Sequence, residues 1–397
     1  AMLKKGDALN SRVQENLITM RVVKSFVRED YEKENFDDAA MDVRKAMVHS
    51  SKVFTISGPV QMGILWICTV TLLAIGGKEI IFKESSLMPG ELVSLVSYTS
   101  QVIGALSMIT GMLISFSTSR ASLNRINEVF TEEIDIKDNN SDLEVKDGSV
   151  TFMNVDFSYT GNPNKLNLSN INLHIESGET IGIVGGTGEG KSSLVQLIPR
   201  FYDVLSGQVL VGGVNVKDYS LYTLRENVSM VLQNGSLFSG TIAENLRWGN
   251  EDATEEQLIE ACKASCAHEF IVSFPNGYET ELGQGGVNLS GGQKQRIKIA
   301  RALVKDPKIL IFDDSTSAVD TATDEHIRTA LKDTHKGTTK IIIAQRIASI
   351  MGADRIIVMD KGKIADYGTH GELIERCAIY REINESQLKG ESHEETR

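Results

Sequence analysis

Several things are scarce in this sequence, and each scarcity narrows what the chain can be. Its 397 residues include four cysteines, Cys68, Cys262, Cys266 and Cys377. None forms C-x-x-C and none stands at a zinc-like spacing from a histidine. Cys262 and Cys266 are one turn apart if their segment is helical, and they read as buried free thiols in a reducing compartment. A basic excess is also missing. With 41 Lys and Arg against 53 Asp and Glu, the net charge is −12, so no nucleic-acid partner is expected. The opening residues, Ala1-Met2-Leu3-Lys4-Lys5, contain no apolar h-region, and a signal peptide is not expected. Finally, charge is absent from two long stretches, Val53–Gly77 and Leu92–Ser119.

Those stretches divide the chain, whose length suits two or three domains. Residues 1–52 carry interspersed charges of both signs, and Val13, Leu17, Met20 and Val23 are compatible with a long amphipathic helix. As a helix, the run 53–77 would be about 37 Å long, enough to cross a hydrocarbon core of about 30 Å with some tilt. The run 92–119 is less apolar, with Ser94, Ser97, Thr99, Ser100 and Gln101, as in spanning helices that pack in a bundle or line a cavity. Arg44, Lys45, Lys52, Arg120 and Arg125 flank the outer ends of the pair, which places both ends of the hairpin in the cytoplasm. The loop between the runs is read as Lys78–Glu91. After a polar linker at 131–147, a soluble domain is expected over 148–388. It begins with the alternating strand Val150–Val155 and mixes strands and helices as in a largely parallel sheet. Residues 389–397 read as a disordered tail.

The chemistry is carried by three strings. Gly185-Gly186-Thr187-Gly188-Glu189-Gly190-Lys191-Ser192 is G-x-x-x-x-G-K-S, the phosphate-binding P-loop. It lies between the apolar strand Thr180–Val184 and a helix signalled by Leu194, Leu197 and Ile198. Gly185, Gly188 and Gly190 let the backbone turn tightly around a polyphosphate, and its N–H groups form an anion cradle. Lys191 is expected to reach the terminal phosphates and Ser192 to ligate Mg²⁺. The candidate nucleotide contacts therefore run from Gly185 to Ser193. The second string, Ile309-Leu310-Ile311-Phe312-Asp313-Asp314, is a buried strand ending in acids. Asp313 is placed in the Mg²⁺ shell and Asp314 facing the attacking water. The third, Leu289-Ser290-Gly291-Gly292-Gln293-Lys294-Gln295-Arg296, opens a helix at Ser290, Gly291 and Gly292, whose amides can cap a γ-phosphate, with Gln293 beside them.

LSGGQ-x-QR is the signature of ATP-binding cassette (ABC) proteins, and the chain resembles ABC exporters over essentially its whole length. The resemblance implies a partial α-helical transmembrane domain over residues 1–130, with a cytoplasmic coupling loop over 1–52 and two membrane helices. An α/β P-loop ATPase domain follows, with a helical signature subdomain at about 234–300. It also implies that Tyr159 stacks on adenine, that Gln233 touches Mg²⁺ and senses the membrane domain, and that Ser317-Ala318-Val319-Asp320 is the D-loop. Implied cofactors are ATP and Mg²⁺. Implied partners are a second exporter half, membrane lipid and a transported drug, lipid or peptide, all at the cell membrane. On this reading the chain starts inside the transmembrane domain, with four spanning helices missing.

Three positions depart from the exporter pattern. Asp314 stands where the family usually has Glu, and its carboxylate is set back by about 1.5 Å. A misplacement of about 1 Å costs a catalytic group on the order of 100-fold. Gln345, in Ile343-Ala344-Gln345-Arg346, stands where the family has His, and an amide cannot take up a proton as imidazole does. Gln284 replaces a Glu in the loop before the signature. In this family each ATP sits between the P-loop of one ATPase domain and the signature of the other. Asp314 and Gln345 would therefore weaken this chain's own site, while Ser290–Gln293 would complete the partner's. The expectation is the degenerate half of a heterodimeric exporter. The alternatives are a homodimer with two slow sites and a mainly regulatory nucleotide-binding subunit.

Overall fold

The computed structural model describes residues 2–82, 86–233, 235–314, 319–334 and 337–394. The chain forms two compact units, residues 1–133 and 134–397.

The first unit is helical, with α1 (Met2–Ser25), α2 (Glu29–Phe82) and α3 (Pro89–Thr131). Between α1 and α2 the backbone reverses at Val27, whose φ of 52° is left-handed in a β-branched residue. The Lys5–Asp42 ion pair ties α1 to α2. Along α2 and α3, Ser107 Oγ donates to Gln61 Oε1 at 2.9 Å. Leu92 packs onto Gly76 so closely that a Cβ there would lie 2.4 Å from its Cδ1. The segments Gly58–Phe82 and Pro89–Leu113 are each 25 residues long and apolar enough to span a membrane. Their apolar side chains face outward, Trp66, Ile67 and Leu113 all being about two-thirds exposed. The core helix of a soluble domain buries such residues, whereas a bilayer solvates them.

The spanning helices are longer than the uncharged runs. Lys78 and Glu79, expected in the loop, belong to α2, and α3 continues past Arg120 to Thr131. Charged residues of this kind are good helix formers, so loss of hydrophobicity does not end a helix.

Among the described residues, the strands of the second unit are β1 (Val150–Phe157), β2 (Leu168–Ile175), β3 (Thr180–Gly185), β4 (Ser206–Val211), β5 (Val214–Asn215), β6 (Val228–Val231), β7 (Gly240–Thr241), β8 (Glu281–Leu282), β9 (Ile309–Asp313), β10 (Thr339–Ile343), β11 (Arg355–Asp360) and β12 (Lys363–Gly368). Its helices are α4 (Lys191–Gln196), α5 (Leu221–Asn227), α6 (Ile242–Arg247), α7 (Glu255–Ala264), α8 (His268–Val272), α9 (Gly291–Val304), α10 (Thr321–Thr334), α11 (His370–Arg376) and α12 (Ala378–Glu394). The main sheet has the order β12-β11-β3-β10-β9-β6 and is parallel except for the edge strand β12. An antiparallel sheet, β2-β1-β4-β5, supplies a second layer.

The central strands read as continuous apolar runs because both faces are covered. Ile181, Ile183, Ile309, Ile311, Ile341 and Ile343 share a core with Phe152, Leu168 and Val209 of the antiparallel sheet. Val184, Leu310, Phe312 and Ile342 point the other way, into a core with Ile297, Leu303 and Tyr380. Ser290 begins α9 as one of several reciprocal capping boxes, like Thr241 at α6 and Thr254 at α7.

Three expectations need correcting. Residues 134–147 are part of the second unit: Asp138 Oδ1 accepts the Leu221 N–H at 3.1 Å, and Asn139 Nδ2 donates to Lys217 O at 2.9 Å. Cys266 does not share a helix with Cys262. α7 stops at Ala264, and Cys266 is left-handed at φ 55°. The helix α12 runs on to Glu394, through most of the segment read as a disordered tail, and residues 395–397 lie outside the described residues.

Candidate nucleotide site

Four neighbouring parallel strands, β3, β10, β9 and β6, end on the same side, where open α/β sheets place their ligands. The P-loop follows β3, Gln345 lies two residues beyond β10, Asp313 and Asp314 close β9, and Gln233 lies two residues beyond β6.

In the P-loop, Gly190 caps α4 at φ 90°, and a Cβ there would meet Leu168 Cδ2 at 2.8 Å and the Asn167 carbonyl at 2.9 Å. Gly188, at φ 87°, would carry its Cβ into open space. The loop is thus closed against the sheet behind and open in front. Gly186 lies within it, and so does Thr187. Glu189 accepts the Lys361 N–H, which ties the loop to the β11–β12 turn. The Lys191 ammonium folds back on its own loop, donating to the carbonyls of Gly185 at 2.8 Å and Gly186 at 2.7 Å. Burial lowers its pKa, while Asp314, Glu189 and Asp313 oppose that shift.

Ser192 Oγ donates to Asp313 Oδ1 at 2.7 Å. Asp313 is buried, and burial raises its pKa; the charge of Asp314 pushes the same way, against the Ser192 hydrogen bond and Lys191. Asp314 turns the chain at φ 48°, with its N–H on Ile343 O at 3.1 Å. Its Oδ2 accepts two side-chain amides, Gln233 Nε2 at 3.0 Å and Gln345 Nε2. The structure therefore brings Lys191, Ser192, Gln233, Asp313, Asp314 and Gln345 into one connected cluster.

Tyr159 stands beside α4, its hydroxyl 2.9 Å from Ser193 Oγ and donating to Gln196 Oε1 at 3.1 Å. Its ring is edge-on to Phe157 and to Tyr202, and it remains about half exposed, a platform suited to an aromatic base. Ser290 and Gln293 cap α9 reciprocally: Ser290 Oγ accepts the Gln293 N–H and Gln293 Oε1 accepts the Ser290 N–H at 2.9 Å. No hydrogen bond among the described residues joins Ser290, Gly291, Gly292 or Gln293 to the P-loop cluster. Asp320 is exposed and accepts the Thr323 N–H at 2.9 Å, which lowers its pKa. Ser317 and Ala318 lie outside the described residues. Gln284 is exposed in a short 3₁₀ turn, Gln284–Gly286.

The donor set fits a magnesium nucleotide. Mg²⁺ takes hard oxygen ligands, few of them from protein, and the Ser192 hydroxyl and Asp313 carboxylate oxygens meet at the mouth of the phosphate cradle. Among the described residues there is no group of three His, Cys, Asp or Glu able to hold a metal by itself. Sequence reasoning missed two connections here. One is the Tyr159–Ser193 hydrogen bond. The other is Gln387, far along the chain, which bonds the backbone around Gln345 and has no motif to announce it.

Residues 168–317 match the ABC transporter family, and residues 1–106 match the ABC transporter transmembrane region. The chain belongs to the ABC transporter family, in the exporter-type arrangement of a helical transmembrane region joined to an α/β ATP-binding domain. It is similar to the ABC transporter ATP-binding protein YknU of Bacillus subtilis, with 42% identity over 96% of this chain and 65% of that protein. A second B. subtilis relative, YgaD, carries the name of a multidrug export ATP-binding/permease protein and is 38% identical over 94% of this chain and 64% of its own length. Among solved structures, a bacterial Atm1-family ABC exporter with ATP bound superposes with a TM-score of 0.88 at 31% identity, over 97% of this chain and 68% of that one. The chain spans about two thirds of the length of these relatives.

Proposed function

We propose that this chain is one half of an ATP-driven exporter whose own P-loop site holds Mg²⁺–ATP and splits it slowly, while its signature helix completes the site on a partner chain. The observation that carries this reading is the double engagement of Asp314, whose Oδ2 accepts both Gln233 and Gln345. A group that activates water needs a lone pair within hydrogen-bond reach of it. Here the side chain is short, one oxygen already serves two amides, and the neighbouring Gln345 has no titratable proton to exchange.

When bound, ATP with Mg²⁺ supplies the anhydride whose binding and cleavage bias a two-state switch. The residues of this chain do the rest. Lys191 would exchange the Gly185 and Gly186 carbonyls for phosphate oxygens, and Ser192 and Asp313 would hold the cation. Tyr159 would support the base. The first-turn amides of α9 would cap a phosphate held by the partner. The partner is a second exporter half of different sequence, and the cargo class is drug-like, lipid or peptide, the first of these in keeping with the multidrug-export name of YgaD.

The test is the ATPase rate of the full protein purified alone and together with an exporter half that has Glu and His at the equivalent positions. Slow turnover alone and fast turnover together is expected. Fast turnover by this chain alone overturns the reading, and slow turnover in every pairing fits a homodimer with two slow sites.

A further inference from the structure

The C-terminal helix reaches the candidate site through one side chain. Gln387, on α12, donates Nε2–H to the Gln345 carbonyl at 2.7 Å and accepts the Ile347 N–H on Oε1 at 2.8 Å. One planar amide therefore bridges both ends of the turn Gln345-Arg346-Ile347. The Gln345 side chain in turn donates to Asp314. The base of α12 is fixed: Tyr380 is fully buried with its hydroxyl 2.8 Å from His370 Nδ1, and Ile379 and Ile383 pack against the same core. Gln387 lies about two turns further along this anchored helix.

We infer that Gln387 is a positioning residue for Gln345. It splints the backbone of the turn that follows β10 and so sets where the Gln345 amide meets Asp314 and the nucleotide. Glutamine suits this task because one side chain offers a donor and an acceptor in a fixed plane. α12 thereby becomes part of the mechanics of the site, coupling its packing to the loop that senses bound phosphate. The splint stands on geometry alone; its consequence for nucleotide rests on the proposed role of Gln345.

Two readouts on the full protein separate these parts. Hydrogen–deuterium exchange without nucleotide compares the wild type with Gln387→Leu and Gln387→Glu. The leucine variant keeps bulk and loses both bonds, so the Ile347 amide should exchange about tenfold faster. The glutamate variant still accepts the Ile347 N–H but has no proton for the Gln345 carbonyl at neutral pH, so Ile347 exchange should stay within about twofold of wild type. Release of a fluorescent, non-hydrolysable ATP analogue with Mg²⁺ should become about threefold to tenfold faster in both variants. Unchanged Ile347 exchange in Gln387→Leu overturns the splint. Faster exchange with wild-type analogue release in both variants overturns the positioning of Gln345 and leaves the slow-site reading standing. If the leucine variant does not fold, the glutamate variant decides: faster release supports the inference and unchanged release overturns it.

Discussion

The Gln345 side-chain amide donates to the same carboxylate oxygen of Asp314 that accepts Gln233. Both unusual residues of the site are thus engaged with each other. An Asp at 314 is short enough to sit between two amides, and an amide at 345 is a donor that stays a donor at any pH. The pair satisfies itself, an arrangement that supports the proposed slow site.

Asp313 carries a cost that its proposed role in holding Mg²⁺ would explain. Burial first, then Asp314, raises its pKa, so the native state disfavours the charged form and loses stability as pH rises through that range. Asp313→Asn keeps an acceptor for Ser192 and removes the charge. Its nucleotide-free melting temperature should rise by about 2 °C, while the added stabilisation by Mg²⁺–ATP over ATP alone disappears. Calorimetry with and without Mg²⁺ checks both signs together.

Ser290 has a capping role and a proposed ligand role that one substitution can separate. Asp is as good an N-cap as Ser, so Ser290→Asp should leave the melting temperature within about 1 °C of wild type. A carboxylate facing a partner's phosphate is repulsive, so ATP-dependent association with the partner should weaken by at least about tenfold. Equal association of variant and wild type by light scattering would remove the signature from the interface.

Acid stability should depend on Glu179, which joins the starts of β3 and β11. Burial pushes its pKa up, but hydrogen bonds from Arg355 and the Glu176 N–H outweigh this and leave it below the usual 4.5. A depressed carboxylate contributes stability above its unfolded pKa and loses it as pH falls through the folded one. The difference in unfolding free energy between wild type and Glu179→Gln should therefore be largest at neutral pH and shrink below 4.5. Denaturant melts at pH 7 and pH 4 measure it.

In the membrane unit, Gly76 makes room for Leu92. Gly76→Ala should lower stability in detergent by about 1 kcal/mol and Leu92→Ala by about 2 kcal/mol, whereas the double variant should cost less than the sum. Strict additivity in a double-mutant cycle would show that the two do not pack.

Much of this was legible in the sequence, for physical reasons that differ by element. β3, β9 and β10 are buried on both faces, so their apolar runs announce them, and the P-loop glycines are dictated by backbone geometry. The ends of α2 and α3 were not legible, because Lys78, Glu79 and Arg120 break an apolar pattern without breaking a helix. The left-handed Cys266 has no signal in residue type. The Asp314–Gln345 and Gln387–Gln345 bonds depend on side chains that meet across separate elements, which no local pattern encodes.

The proposed slowness of this P-loop site rests on Asp314 and Gln345. It is read most directly from the Mg²⁺-dependent ATPase rate of the full chain, wild type against Asp314→Glu/Gln345→His, at saturating ATP. The double variant should turn over about tenfold to 100-fold faster, since a displacement of about 1 Å at the water-facing carboxylate costs on that order. A rate equal to or below wild type would mean that Asp314 and Gln345 do not limit hydrolysis at this site.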